Sequence, residues 1–409
     1  MAPTPQRVAM ISMHTSPDAR AGSGDAGGMN VSILASAREL AARGVEVELL
    51  TRAEGEPASR ELEPGVTLFE LPAGPPTPLG REDLATAADE FGEAVATLTG
   101  RRRPRYDLIH AHYWLSGIAA LPVALELDLP FVQSFHTLAA MKRREAGTHE
   151  SVRRAHSETY LAGQANAVVA SSAAEATSLI DDVRAPLERV WVVTPGVDVD
   201  LFRPSRADAE SHVRENLAIA PGRPILVSVG RVQPLKDQEL AIRTLAAVHS
   251  MHGWAPVLVV AGEPTPGEED YAESLVALAA ELGVDDQVRF LGAVDRQSLA
   301  DLLAAATLTL STSRSETFGL VSLESAASGT PVIGARGSGL SDSIAHGRSG
   351  LLIASRDPQE WAQAACALLE DPPALGRLSS SAREFALGHT WGASVTSLLG
   401  VYDRVLHRP

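Results

Sequence analysis

The chain has 409 residues, 45% of them hydrophobic and 21% charged, an ordinary globular composition too long for a single ordinary domain. Its 51 acidic and 35 basic residues leave a formal charge of −16, which argues against broad binding to nucleic acid or an anionic membrane, so a phosphate ligand must meet a local basic pocket. A single cysteine, Cys366, excludes internal disulfides and a cysteine metal cage, and residues 1–7 lack the apolar core of a leader; a reducing cytoplasm is the expected setting.

In chain order, residues 8–13 form an apolar run of strand length, followed by the loop Gly22-Ser-Gly-Asp-Ala-Gly-Gly28 and a helical pattern over 30–43 closed by Gly44. Strand patterns follow at 45–50 and 66–71. A Pro/Gly-rich loop at 72–80 then leads into an alanine-rich helix near 82–98. Further strands are expected at 107–110, 131–135, 168–171 and 190–193. Residues 194–204, with two prolines and a glycine, read as a crossing between domains. Asp198-Val-Asp200 lies in it, and turn formation explains that pair more simply than a metal site. Beyond a short helix at 207–217, strands recur at 225–229, 257–261, 288–291, 308–310, 332–334 and 351–353. Strands alternating with helices predict parallel sheets wrapped on both faces. Two α/β domains are therefore expected, 1–204 and 205–391.

Five stretches carry chemistry. Glu316 and Glu324 flank Phe318, Gly319 and Leu320 where a helical pattern begins after strand 308–310. On one continuous helix the Cα atoms of the two glutamates would stand ~12 Å apart along the axis and ~80° apart around it. That spacing suits an elongated ligand with hydroxyls at both ends and an anionic centre met by helix-terminal amides. Taken alone, a bare Glu-x7-Glu is more simply a solvated surface helix. Gly230-Arg-Val-Gln-Pro-Leu-Lys236 follows the first strand of the second domain. It offers Arg231 and Lys236 as a fork and a point charge for a diphosphate.

Gly22-x-Gly24-x-x-Gly27 matches the dinucleotide fingerprint by letter, but His14 to Ala21 separate it from its strand and the second strand ends at Thr51-Arg52 rather than at an acid. A nicotinamide oxidoreductase is thereby disfavoured. Gly27 and Gly28 still let backbone approach a phosphate or sugar closely, with Asn30 beside them. Finally, His110-Ala-His112 and Ser134-Phe-His-Thr137 end two strands. A His-x-His pair could ligate metal, yet no cysteine or nearby carboxylate completes a zinc site, and no metal site is assigned. His136 and Thr137 are better placed for ligand contact, and the basic residues 142–144 and 153–154 are candidates for an anion pocket.

With these residues in hand, the chain resembles, over essentially its whole length, the retaining glycosyltransferases of family 4. These have the GT-B fold of two Rossmann-like domains facing each other across a cleft. The carrying stretches are Met13-His-Thr-Ser-Pro17, Gly24-Asp-Ala-Gly-Gly-Met-Asn-Val31, His110-Ala-His-Tyr-Trp-Leu-Ser-Gly117, His136-Thr-Leu-Ala-Ala140, Gly230 to Lys236 and Glu316 to Glu324. The branch it looks most like acts on a phosphorylated inositol in mycothiol biosynthesis. The resemblance implies transfer of N-acetylglucosamine from UDP-N-acetylglucosamine to 1D-myo-inositol 3-phosphate with retention. Arg231 and Lys236 would then bind the donor diphosphate, Glu324 the ribose and Glu316 a hydroxyl of the moving sugar, with Gly28 by the phosphates. His14 and the stretch Asp25, Gly27, Met29 and Asn30 would line the acceptor pocket. Tyr113, Thr137, Arg154 and Arg81 would hold the acceptor phosphate, and His136 would sit by the reacting centre. The resemblance also implies that a last helix near 392–409 packs on the first domain and that no cofactor is required, with magnesium assistance open, and it carries the expectation of a homodimer. Arg20-Ala21, Ser32 and Arg81 depart from the family pattern, all on the acceptor side. The alternatives are another family 4 enzyme with a different donor or acceptor, such as a sucrose-phosphate-synthase-like enzyme or a mannosyltransferase, and a non-catalytic nucleotide-sugar sensor.

Overall fold

The computed structural model describes residues 5–22, 24–148, 150–204 and 207–407, without the side chains of Arg81 and residues 207–209. Contacts divide the chain into two compact units. The first takes the chain through Ala19, Met29–Thr194 and the segment from Trp391; the second takes Arg20–Gly28 and Pro195–Thr390. The crossing 195–204 therefore lies with the second unit, not the first. Residue 205, the expected domain start, falls outside the described residues. The glycine loop also groups by contact with the second unit although the chain places it in the first.

The first unit is an eight-stranded sheet of β1 (Arg7–Ile11), β2 (Glu46–Arg52), β3 (Ala58–Glu63), β4 (Val66–Leu71), β5 (Leu108–His112), β6 (Phe131–Ser134), β7 (Ala167–Ala170) and β8 (Val190–Val192), in the order β3-β4-β2-β1-β5-β6-β7-β8. All neighbours are parallel except the β3–β4 hairpin. Strand β3, Ala-Ser-Arg-Glu-Leu-Glu, was absent from the sequence expectation. It is an edge strand exposed along most of its length, so it carries no apolar run to betray it. The strands β1 and β5, buried on both faces, read as apolar in the sequence for the opposite reason. One face of this sheet is closed by the helix Trp391–Leu406, whose Val395, Leu398, Val401 and Tyr402 pack with Val8, Met10 and Val47.

The second unit is a six-stranded parallel sheet of β9 (Ile225–Val229), β10 (Val257–Ala261), β11 (Val288–Gly292), β12 (Leu308–Ser311), β13 (Val332–Ala335) and β14 (Gly350–Ile353), in the order β11-β10-β9-β12-β13-β14. Both sheets reverse direction of winding at their first strand, between β1 and β5 and between β9 and β12. In open α/β sheets, ligands bind at the carboxyl ends of strands at such a point. Cys366 is buried against Ala247, Val248 and Ala362, a packing role. Asp198 accepts the amides of Asp200 and Leu201, closing the turn anticipated for it. A helix over Pro372–Leu387, unanticipated, starts where Asp371 caps the Ala374 amide.

Candidate active site

In the second unit the loop after β9 and the loop after β12 meet. Lys236 Nζ lies 2.6 Å from Glu316 Oε2, and both side chains are about four-fifths buried (23% and 19% exposed). The next residue, Asp237, is buried with φ +52 and caps the helix Gln238–His252 through the Leu240 amide. Its carboxylate is also held by Arg314 and Arg356, while Arg356 donates to the Thr312 carbonyl at 2.6 Å. Thr312 Oγ1 in turn donates to the Lys236 carbonyl at 3.0 Å. One buried carboxylate and two guanidinium groups thus tie the lysine loop to the glutamate loop. Gly230 (φ +149) and Gly262 allow the ends of β9 and β10 to close up, since a Cβ on Gly262 would stand 2.0 Å from the Gly230 carbonyl oxygen.

The helix here runs Leu320–Ala327, so it starts four residues beyond Glu316. Glu316 stands in the preceding loop and Glu324 only one turn in, which corrects the continuous-helix spacing above. The reason is Gly319, whose φ of +93 breaks the helical path. Neither acid is a solvated helix residue. Glu324 is 3% exposed and pairs with Arg296 Nη1 at 2.5 Å, while Arg296 stacks over Phe202 at 4.7 Å. Phe318 is buried in the apolar core and Leu320 packs beside it, leaving backbone rather than side chains for a ligand. Arg231 Nη1 lies 3.1 Å from Asp25 Oδ1 in the glycine loop, and a Cβ on Gly28 would stand 3.3 Å from Leu320 Cδ1. Gly27 has open space where a Cβ would stand. Asp25 is therefore an ion-pair partner of the expected diphosphate arginine.

In the first unit the polar groups gather at the ends of β1, β5 and β6. Tyr113 (φ +74) and His136 (φ +61) both occupy the left-handed region, uncommon for such residues and a mark of structure imposed by its surroundings. Three imidazoles pack in a row, His112 stacked on His136 and tilted against His110. His110 and His112 centroids are 4.2 Å apart, those of His112 and His136 5.1 Å. His112 Nδ1 and His136 Nε2 are hydrogen-bonded at 2.9 Å; His110 bonds Tyr402 Oη at 2.7 Å and Ser134 Oγ at 2.9 Å. Burial holds all three neutral, lowering His110 to about 3 and His136 to about 4 and His112 well below its usual value. Among the described residues no group of three or more His, Cys, Asp or Glu is arranged to hold a metal.

Beside this stack, Arg154 is 2% exposed. It donates to Glu158 at 2.7 Å, Glu150 at 2.9 Å, and the carbonyl and hydroxyl oxygens of Thr137 at 2.9 Å each. Its guanidinium also lies 5.1 Å from the Tyr113 ring centroid, and Tyr113 packs on His14 at 4.3 Å. Lys142 joins through Glu150 at 2.8 Å. Arg153 instead donates to the Ala85 carbonyl. Of the expected acceptor residues, Asn30 is buried and ties down the loop after β1 through Thr15 and Ser16, and Met29 packs against the hydrophobic core. The Arg81 side chain lies outside the described residues. Glu150 and Glu158 went unread, although each stands four residues from Arg154 and Glu158 shares its helix, Val152–Gln164, which is a readable signal. Arg296 carried none.

Two doubly wound units, one with a lysine–glutamate pair at its switch point and the other with a histidine stack and an encased arginine, have the layout of GT-B glycosyltransferases. Residues 27–196 match the family model for a glycosyl transferase 4-like domain, and residues 210–385 that for glycosyl transferases group 1. The D-inositol 3-phosphate glycosyltransferase of Nocardia farcinica is 39% identical over 98% of this chain and 90% of its own. That of Stackebrandtia nassauensis is 40% identical over 99% and 93%. Among solved structures, sucrose-phosphate synthase from Thermosynechococcus elongatus superposes with a TM-score of 0.87 at 30% identity, covering 97% of this chain and 98% of that one. The chain belongs to this family, the family 4 glycosyltransferases, and is an enzyme of that class.

Proposed function

We propose that the protein moves N-acetylglucosamine from UDP-N-acetylglucosamine to 1D-myo-inositol 3-phosphate, with retention at the anomeric carbon. The observation that carries this reading is the near-full-length likeness to D-inositol 3-phosphate glycosyltransferases, combined with an arginine encased beside a hydroxyl. In the second unit, Arg231 and Lys236 neutralise the donor diphosphate, with Gly28 and the Gly319 and Leu320 backbone beside it. Glu324 takes ribose hydroxyls and Glu316 a hydroxyl of the moving sugar. Stabilising the charge that develops on departing UDP is the largest catalytic contribution such groups make. In the first unit, Arg154, Thr137 and Tyr113 hold the acceptor phosphate. Lys142 supplies a second positive charge once the phosphate takes the place of Glu150, the less buried of the two glutamates on Arg154.

The acceptor hydroxyl attacks the anomeric carbon from the face that UDP leaves. The carbon–phosphate oxygen bond breaks, its electron pair goes to the phosphate oxygen, and that oxygen takes the hydroxyl proton. No carboxylate nucleophile and no cofactor is required in this reading.

The test is UDP release on mixing the protein with both substrates, with and without EDTA. Turnover of that pair, unaffected by EDTA, supports the reading. No turnover with inositol 3-phosphate but turnover with a sugar phosphate would move the acceptor towards the chemistry named for the sucrose-phosphate synthase neighbour. It would leave the transferase class intact.

A further inference from the structure

His112 has one hydrogen-bonded ring nitrogen and one that is not. Nδ1 pairs with His136 Nε2 at 2.9 Å, whereas Nε2 is buried and has no hydrogen-bond partner. Two neutral arrangements fit that pair. If His136 donated from Nε2, His112 would carry its own proton on the orphaned nitrogen, leaving a buried N–H donor unsatisfied. If His112 donates from Nδ1, the orphan is a bare acceptor nitrogen. An unsatisfied buried donor is the rarer defect. Packing against His110 and His136 and the burial of His112, 4% exposed, oppose a charged imidazolium at His112.

We infer that His112 is a positioning residue for His136: its Nδ1–H donates to His136 Nε2 and locks the His136 ring as the Nδ1-protonated tautomer. The consequence rests on the reading of His136 as a substrate-facing group. With Nε2 committed as acceptor to His112, the other nitrogen of His136 carries a proton. His136 therefore keeps no bare ring nitrogen with which to act as a base for the acceptor hydroxyl. The backbone supports the same lock. The His136 φ of +61 and the Tyr113 amide bonded to the Ser134 carbonyl at 2.7 Å hold the two strand ends in register, so the imidazole pair does not depend on side-chain rotamers alone.

The test has a spectroscopic arm independent of turnover. Ring nitrogens of histidine-labelled protein are read by NMR, the His136 signals being identified by their loss in His136→Gln. A pyridine-type Nε2 and a protonated Nδ1 at neutral pH are expected, and a pyrrole-type Nε2 overturns the inference whatever the enzyme's substrates prove to be. In the kinetic arm, His112→Phe should lower kcat ~10-fold or more while leaving the KM for UDP-N-acetylglucosamine within about threefold. His112→Asn, whose amide can donate from nearly the Nδ1 position, should recover most of that loss. Wild-type kcat in His112→Phe with unshifted His136 signals would also overturn the proposal. If His112→Phe fails to fold, the wild-type spectrum still decides.

Discussion

Lys236 Nζ and Glu316 Oε2 stand 2.6 Å apart although 80 residues separate them in the chain. The lysine is therefore oriented by a carboxylate, and a diphosphate binding there must compete with Glu316 for it. Lys236→Ala should reduce kcat/KM for the nucleotide-sugar by ~100-fold or more, through loss of charge stabilisation on the leaving group. Unchanged donor affinity by calorimetry together with unchanged kcat would remove Lys236 from the clamp.

Arg154 is encased by two glutamates, and burial with Arg154 holds Glu158 in an unusual state: desolvation raises the Glu158 carboxyl while the guanidinium lowers it, with a net rise. Removing the cation leaves those carboxylates buried without compensation. Arg154→Ala should destabilise the fold by ~3–5 kcal/mol, read by urea unfolding. Arg154→Lys, lacking the planar fork, should still raise the KM for the acceptor while leaving the donor KM unchanged. A rise confined to the donor KM would contradict the acceptor assignment.

Stability should fall on the acid side. His136, lowered from 6.5 to about 4, binds a proton in the unfolded chain but not in the folded one between those limits. Its contribution is thus complete above about pH 6.5 and lost as pH falls towards 4. His110, lowered to about 3, acts in the same direction. Glu175 opposes them: its burial raises it to about 7, so the folded state holds the extra proton from about 4.5 to 7 and stability declines as pH rises through that window. Unfolding free energy measured from pH 4.5 to 6.5 should lose ~1.4 kcal/mol per pH unit of slope in His136→Gln and gain a similar slope in Glu175→Gln. Parallel curves for all three proteins would refute the assignment of these shifts.

Gly319 is where a side chain cannot be accommodated. With φ at +93, a Cβ would sit 2.6 Å from Leu340 Cδ2 and 3.0 Å from Ser343 Oγ. Gly319→Ala should cost ~1–3 kcal/mol and, because Gly319 links the Glu316 loop to the helix carrying Glu324, weaken donor binding as well. A substitution neutral for both Tm and donor affinity would show that the turn is not needed to place the acids.

The two-unit α/β architecture was legible in the sequence because buried parallel strands such as Val8 to Ile11 are apolar along their length, and helices between them repeat with helical period. So were the lysine and glutamate stretches, since each is a short local pattern beside a strand end. Edge strand β3, with its polar Ala-Ser-Arg-Glu-Leu-Glu, left no such trace. The start of the helix carrying Glu324 was misplaced because φ at Gly319 is a property of the fold around it.

By itself, the sequence determined which residue types stand at the strand ends: Arg231 and Lys236 after β9, Glu316 after β12, His110 and His112 on β5, His136 after β6. Only the tertiary structure decided how they pair. It set Glu324 against Arg296 across 28 residues and His112 against His136 across 24, and it buried Tyr402 of the last helix against His110. Hydrogen bonds and ion pairs of this kind depend on distances that loops and sheet order set together. Local composition carries no record of them, whereas burial and periodicity are written residue by residue.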